Sequence, residues 1–243
     1  MHESLLTPDD LALRPGRGVR SPWLREALAA EGDPPPLPGL ATDRACDVAI
    51  VGGGYTGLWT ALQLKARAPE LEIVLLEQDI CGGGPSGRNG GFVNAWWDEL
   101  DTLEVLYGAE PALAAAQAVS HSVRSIGGWC TEHGVDAHFR QAGMLVVSTT
   151  APHDDRPLGS VRVAARLGVP EEFVALSPDE VQARCSSPRF RTGALMRDGA
   201  TVQPALLARG LRRVALERGV VIHEQSRVRP RLTRDGPRSA LMV

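Results

Sequence analysis

The chain has 243 residues, 43% of them hydrophobic and 23% charged, and its 26 Lys and Arg against 29 Asp and Glu leave a formal net charge of −3. That length suits one or two domains and that composition can bury a sizeable core, which excludes a disordered or fibrous chain. The charge balance excludes the broad basic surface that holds nucleic acid, and no run approaches the roughly 20 apolar residues of a membrane span.

The first ten residues, Met1 to Asp10, are acidic and lack the basic start and apolar run of a signal peptide. Four cysteines, Cys46, Cys81, Cys130 and Cys185, are scattered without a Cys-x-x-Cys pair, so they read as reduced thiols of a cytoplasmic protein. Ser21-Pro22-Trp23 opens a short helix to Ala30, with Ser21 as cap and Pro22 at the first helical position. The prolines of Asp33 to Gly39 break it, and residues 1–45 read as an N-terminal extension and Pro-rich lead-in. Cys46 to Val51 is a short apolar run, expected as a buried parallel strand apolar on both faces. A helix over Leu58–Arg67 and a second apolar strand over Leu71–Glu77 complete a βαβ unit with a right-handed crossover.

Further on, Trp96 to Glu99 begins a helix, and Glu110 to Cys130 is helical with Leu113, Ala116, Val119, Val123, Ile126 and Cys130 on one stripe. Short strands are expected at Val135–Phe139 and Met144–Ser148, on either side of Gly143. Ser177 and Glu180 form a capping-box pattern. A helix over Pro204–Arg218 is closed by Gly219, and Val220–His223 is an apolar strand.

The sharpest local signal is Gly52-Gly53-Gly54-Tyr55-Thr56-Gly57, which matches G-x-G-x-x-G through Gly52, Gly54 and Gly57. It leaves a predicted strand and enters a predicted helix, which is the context in which such a turn binds a dinucleotide. Gly52 permits the tight turn, Gly54 lets the backbone approach a pyrophosphate, and Gly57 lets helix and strand pack closely. Helix N-terminal amides, those of Tyr55 and Thr56 among them, then face phosphate charge. Glu77 ends the second strand 20 residues after Gly57, placed to accept the ribose hydroxyls of an adenosine and to repel a 2′-phosphate, which disfavours NADP.

A second glycine-rich segment follows at once, Cys81-Gly82-Gly83-Gly84-Pro85-Ser86-Gly87-Arg88-Asn89-Gly90-Gly91. Glycine permits close approach to a ligand, Ser86 offers a hydroxyl, and Arg88 offers a planar cation for phosphate or carboxylate. Together, Asp47 to Gly57, Glu77 and Pro85 to Gly91 resemble the FAD-dependent D-amino-acid oxidase family, in particular its bacterial glycine-oxidase and γ-glutamylputrescine-oxidase branch. The resemblance implies that Ser86, Gly87, Arg88, Asn89, Gly90 and Gly91 lie along the FAD pyrophosphate toward the isoalloxazine ring. A third match, Asp198 to Pro204 and then Gly219 to Val228, resembles the family's return from substrate domain to FAD domain. There Val228 aligns with a residue that touches adenine through its backbone. Residues 78–94 contain no histidine to carry a covalent link, so non-covalent FAD is expected.

The expected fold is therefore α/β, a Rossmann-type FAD-binding βαβ domain with part of an interleaved α+β substrate domain, truncated at its C-terminus. Its segments are 46–107 for the FAD-binding portion, 108–200 for the partial substrate domain and 201–243 for the return. The Arg- and Pro-rich tail after Val228 does not read as the apolar strand expected next, and the chain reads as the N-terminal half of the family fold. His133, His138 and His223 read as ordinary strand or loop histidines, since no third ligand stands at metal-like spacing, and no G-x-S-x-G elbow supports a hydrolase.

The resemblance implies hydride transfer from the α-carbon of an amine or amino acid to FAD and reoxidation by O2 to H2O2, with no strong side-chain base required. Which groups are catalytic is not legible. Two alternatives stand beside this: a catalytically silent FAD- or nucleotide-binding fragment, and an NAD-dependent dehydrogenase, against which the Ser86–Gly91 loop argues.

Overall fold

The computed structural model describes residues 20–228 and the backbone of 232–235 and 238–241. In chain order the elements are α1 (Pro22–Ala30), β1 (Val48–Val51), α2 (Tyr55–Arg67), β2 (Ile73–Leu76), β3 (Phe92–Asn94), α3 (Leu100–Tyr107), α4 (Ala109–Glu132), β4 (Arg140–Gln141), β5 (Met144–Val147), α5 (Leu158–Arg166), β6 (Phe173–Leu176), α6 (Pro178–Arg184), β7 (Gly193–Met196), β8 (Gly199–Thr201), α7 (Pro204–Glu217), β9 (Val221–His223), β10 (Leu232–Asp235) and β11 (Arg238–Leu241). They fall into two compact units, one of residues 1–89 with 204–243 and the other of residues 90–203. The α/β class and the parallel βαβ are as expected.

The first unit is built on a parallel sheet of order β1-β2-β9. Val48 to Val51 pair in register with Ile73 to Leu76, and Val74 to Leu76 pair with Val221 to His223. β2 is buried along its whole length because it lies between two strands. β1 corrects the expectation of burial on both faces: Ala49 and Val51 are exposed, and only Ile50 is fully inside. Strand order, which no local pattern carries, puts β1 at an edge among the described residues.

Leu58 and Ala61 of α2 and Leu207, Leu211 and Val214 of α7 supply the apolar faces that pack here. The helix expected at Ser21 forms, capped by Ser21 Oγ, which accepts the Leu24 N–H at 3.1 Å. It is part of this core, since Leu24 and Ala27 are buried against Ile80 and Ala205. Gly219, in the left-handed region at φ +77°, closes α7 as expected. In the tail, β10 and β11 pair antiparallel with each other, Leu232 opposite Leu241, as a two-stranded sheet of their own.

The second unit carries two antiparallel three-stranded sheets, β3-β8-β4 and β5-β7-β6. Its core gathers Trp97, Leu100, Ala112, Ala116, Phe173 and Met196, with Phe173 opposite Met196 across β6 and β7. Trp97 pairs its buried Nε1–H with Ser120 Oγ at 2.6 Å, which removes the cost of burying both groups. The long helix buries Ala112, Ala116, Ser120, Val123 and Cys130, while Leu113, Val119 and Ile126 of the expected stripe are half-buried. The Ser177–Glu180 capping box is present in both directions. Val135–Phe139 is not a strand: Gly134 and His138 take left-handed conformations, and Ala137 N–H folds back to the Val135 carbonyl at 3.0 Å. Extended pairing starts only at Arg140. Among the described residues no helix is long and apolar enough to cross a membrane.

Candidate functional site

The glycine turn sits where the sequence placed it, between the end of β1 and the first turn of α2. Gly52 has φ +102°, a conformation that costs a side-chain-bearing residue strain, and a Cβ there would meet nothing within 4 Å. Gly57 is required for a different reason: a Cβ on it would drive into the Gly52 carbonyl, so only hydrogen lets α2 approach β1 this closely. Gly54 is the helix cap and has no side chain with which to satisfy the first-turn amides.

One of those amides is met from the second glycine segment. Tyr55 N–H donates to Ser86 Oγ at 2.9 Å. The same oxygen would lie 2.9 Å from a Cβ on Gly54, so this pairing also demands glycine there. Tyr55 Oη donates to the Pro204 carbonyl at 2.7 Å, tying α2 to the start of α7. Thr56 is exposed in the same first turn. The structure therefore brings Gly52, Gly54, Tyr55, Thr56, Gly57 and Ser86 together.

Glu77 joins them from the end of β2. Its Oε2 accepts the Gly53 N–H at 2.7 Å and its Oε1 accepts the Asp79 N–H at 2.9 Å. The carboxylate thus braces the turn before any ligand arrives, and each oxygen keeps a second lone pair for a ribose hydroxyl. The fit to an adenine dinucleotide rests on this combination: a cradle of glycines, a helix start whose cap residue is glycine and a braced carboxylate at the strand end.

Pro85–Gly87 forms a single 3-10 turn closed by Gly87 N–H to the Gly84 carbonyl at 3.1 Å and Arg88 N–H to the Pro85 carbonyl at 3.2 Å. Asn89 Nδ2 donates to the Pro85 and Ser86 carbonyls, so this side chain holds the loop's own shape. Gly87 is buried and Arg88 exposed. Gly90 and Gly91 belong to the second unit, where Gly91, at φ +73°, accepts the Val202 N–H at 2.8 Å. Val228 is half-buried, two residues after Ser226, whose N–H donates to the Glu77 carbonyl at 2.8 Å.

Three features had no local signal in the sequence. Cys81 backs the turn, because its Sγ occupies the space a Cβ on Gly53 would need. Burial, then the charges of Glu224 and Glu77, push its thiol well above the ordinary range, so it is a packing group and not a nucleophile. Glu224, fully buried, accepts the Cys81 N–H at 2.9 Å and is paired with Arg212 Nε at 2.9 Å. Ser21 Oγ donates to the Gly87 carbonyl at 2.6 Å. Of the tempting histidines, His133 stacks tilted against Trp129 at 4.8 Å. Among the described residues, no group of three or more His, Cys, Asp or Glu is placed to hold a metal ion.

The family model described as FAD dependent oxidoreductase matches residues 47–240. Gamma-glutamylputrescine oxidoreductase of Escherichia coli (strain K12) is 30% identical over 181 residues, covering 72% of this chain and 40% of that protein. Probable oxidoreductase OrdL of Rhizobium meliloti (strain 1021) is 31% identical over 198 residues, covering 78% and 44%. Glycine oxidase from Geobacillus kaustophilus has a similar structure, with TM-score 0.66 at 20% identity over 81% of this chain and 50% of that one. L-Amino acid deaminase from Proteus myxofaciens matches with TM-score 0.66 at 22% identity, over 85% and 43%. The chain spans less than half the length of the two curated relatives.

Proposed function

The chain belongs to the FAD dependent oxidoreductase family, and on that premise we propose that it binds FAD non-covalently and serves the oxidation of a C–N bond in a small amine or amino acid. The observation that carries this reading is the junction of the two glycine segments, where Ser86 Oγ accepts the Tyr55 N–H beside the Glu77-braced turn. Gly52 and Gly54 would let the backbone approach the pyrophosphate, and the α2 amides would face its charge. Ser86, Gly87, Arg88 and Asn89, with Gly90 and Gly91 beyond them, would extend that contact. Arg88 would supply the positive charge. Glu77 would accept the ribose hydroxyls, and Val228 would meet adenine through its backbone. When bound, FAD would supply the hydride acceptor, with O2 taking the electrons on to H2O2. The amine-acting relatives, gamma-glutamylputrescine oxidoreductase and glycine oxidase, support this substrate class. A cytoplasmic setting, with all four thiols free, goes with the proposal.

A second reading is FAD binding without turnover, favoured by a site whose assembled residues would all hold the dinucleotide. One experiment separates the two. The purified chain is incubated with FAD, desalted, and tested for flavin absorbance and for peroxide release with a panel of amines and amino acids. Colour with peroxide supports oxidation, colour without peroxide supports binding alone, and a colourless protein overturns both.

A further inference from the structure

Residues 20–40 are tied by polar contacts to Asp79, to Gly87 of the second glycine segment and to Glu224. Arg20 makes a two-pronged bond to the Asp79 carboxylate, at 2.9 and 3.1 Å, just after the bracing Glu77. Next in sequence, Ser21 Oγ donates to the Gly87 carbonyl while accepting the Leu24 N–H that starts α1. At the far end of the segment, Leu37 N–H donates to Glu224 Oε2 at 2.7 Å, and the other oxygen of that carboxylate takes the Cys81 N–H. Cys81 is the residue packed behind Gly53. One end of the segment therefore grips the second glycine loop, and the other reaches the back of the first.

Asn89 and the turn's own amides shape the second loop, and Ser21 adds a tie to it from α1. A three-residue 3-10 turn has poor intrinsic stability, and the carbonyl of buried Gly87 needs a partner of its own. Ser21 provides that partner from a rigid base. α1 is anchored by Leu24 and Ala27 in the core and by Glu31, which pairs with the buried Arg209 at 2.5 Å. Fixing Gly87 fixes its neighbour Ser86, whose hydroxyl must meet the Tyr55 amide.

We infer that residues 20–40 form a positioning strap for the dinucleotide site, with Ser21 the residue that sets the second glycine loop. The inference rests on the FAD reading for its purpose but not for its geometry. The line of force runs from α1 through Ser21 to Gly87 and Ser86, and from there to the first turn of α2.

The test uses the full chain and Ser21→Ala, Ser21→Asp and Ser21→Thr. Asp still caps α1 through its carboxylate but has no proton to donate to Gly87, whereas Thr keeps both functions. Amide hydrogen exchange at Gly87 and Arg88 is measured without ligand, and FAD affinity by titration of the flavin signal. Ala and Asp are expected to speed exchange at these two amides, and to weaken FAD binding, by about threefold to tenfold, the worth of one ordinary hydrogen bond. Thr is expected to match the parent chain in both. Unchanged exchange at Gly87 and Arg88 in Ala and Asp overturns the strap. Faster exchange in a protein that never binds FAD supports the strap and overturns only the cofactor reading.

Discussion

Replacing Glu77 by Gln tests whether the carboxylate braces the glycine turn before a ligand is present. Its two oxygens accept the Gly53 and Asp79 amides at 2.7 and 2.9 Å. A glutamine has one acceptor oxygen, so one amide would face an NH2 group that also donates. Losing a hydrogen bond to a charged acceptor costs about 1.5–3 kcal/mol. Gly53 is buried, but Glu77 and Asp79 are only half-buried, so glutamine keeps the inner bond and water recovers part of the outer one. The net loss should be about 2 kcal/mol, which for a chain of this size lowers the thermal midpoint by about 4–8 °C. Thermal unfolding of the unliganded protein, followed by circular dichroism, measures it directly. A Glu77→Gln midpoint within about 1 °C of the parent would refute the bracing.

Other outcomes follow from the same geometry. Phe173→Ala empties a fully buried position packed against the Trp97–Met196 cluster and should cost the second unit about 3–5 kcal/mol in urea unfolding; a loss under about 1 kcal/mol would place that core elsewhere. A thiol reagent should label exposed Cys185 in the folded protein and reach Cys81 only on unfolding, because burial both shields that thiol and raises its pKa. Mass-mapped labelling of Cys81 in the native state would contradict this. Arg191, then Ser148, hydrogen-bond the Asp154 carboxylate and hold its pKa below the usual value. The stabilisation is therefore present above the unfolded-state value near about 4 and is lost as pH falls through the lower folded value. Arg191→Gln should be less stable than the parent at neutral pH, with the gap closing in acid; a gap constant with pH refutes the assignment.

The βαβ unit was legible because each strand is a short apolar run and Gly52 to Gly57 punctuates the path between them. Ser177 with Glu180, and Gly219, were legible because caps are local: the residues that meet are at most a turn apart. What escaped depends on distance along the chain. The Ser21–Gly87 and Leu37–Glu224 bonds join residues 66 and 187 apart, and nothing near Glu224 in sequence marks a strand-end acid as fully buried. β1 looked central because Val48 to Val51 is apolar throughout, whereas its exposure follows from strand order. Val135 to Phe139 had strand-like residues, and two left-handed backbone positions overruled them. The clustering of Gly52 to Gly57 with Glu77 was legible through spacing, Ser86 entered through the family resemblance, and Cys81 was not legible, because packing behind a turn leaves no motif.

The first unit is interrupted in sequence: residues 90–203 form the second unit, and only afterwards do α7 and β9 arrive. During synthesis, β1, α2 and β2 leave the ribosome with one side of β2 unpaired, and the residues that complete the sheet, Val221 to His223, have not yet been made. Closing that gap while residues 90–203 were still a flexible coil would carry the full entropy of a long loop. If the second unit folds first, the loop is already compact when β9 emerges. Translation order thus favours an inside-out sequence, in which the inserted unit matures before the unit around it. A ribosome-stalled chain ending before Val221 should then protect residues 90–203 from protease while β2 remains open to cleavage.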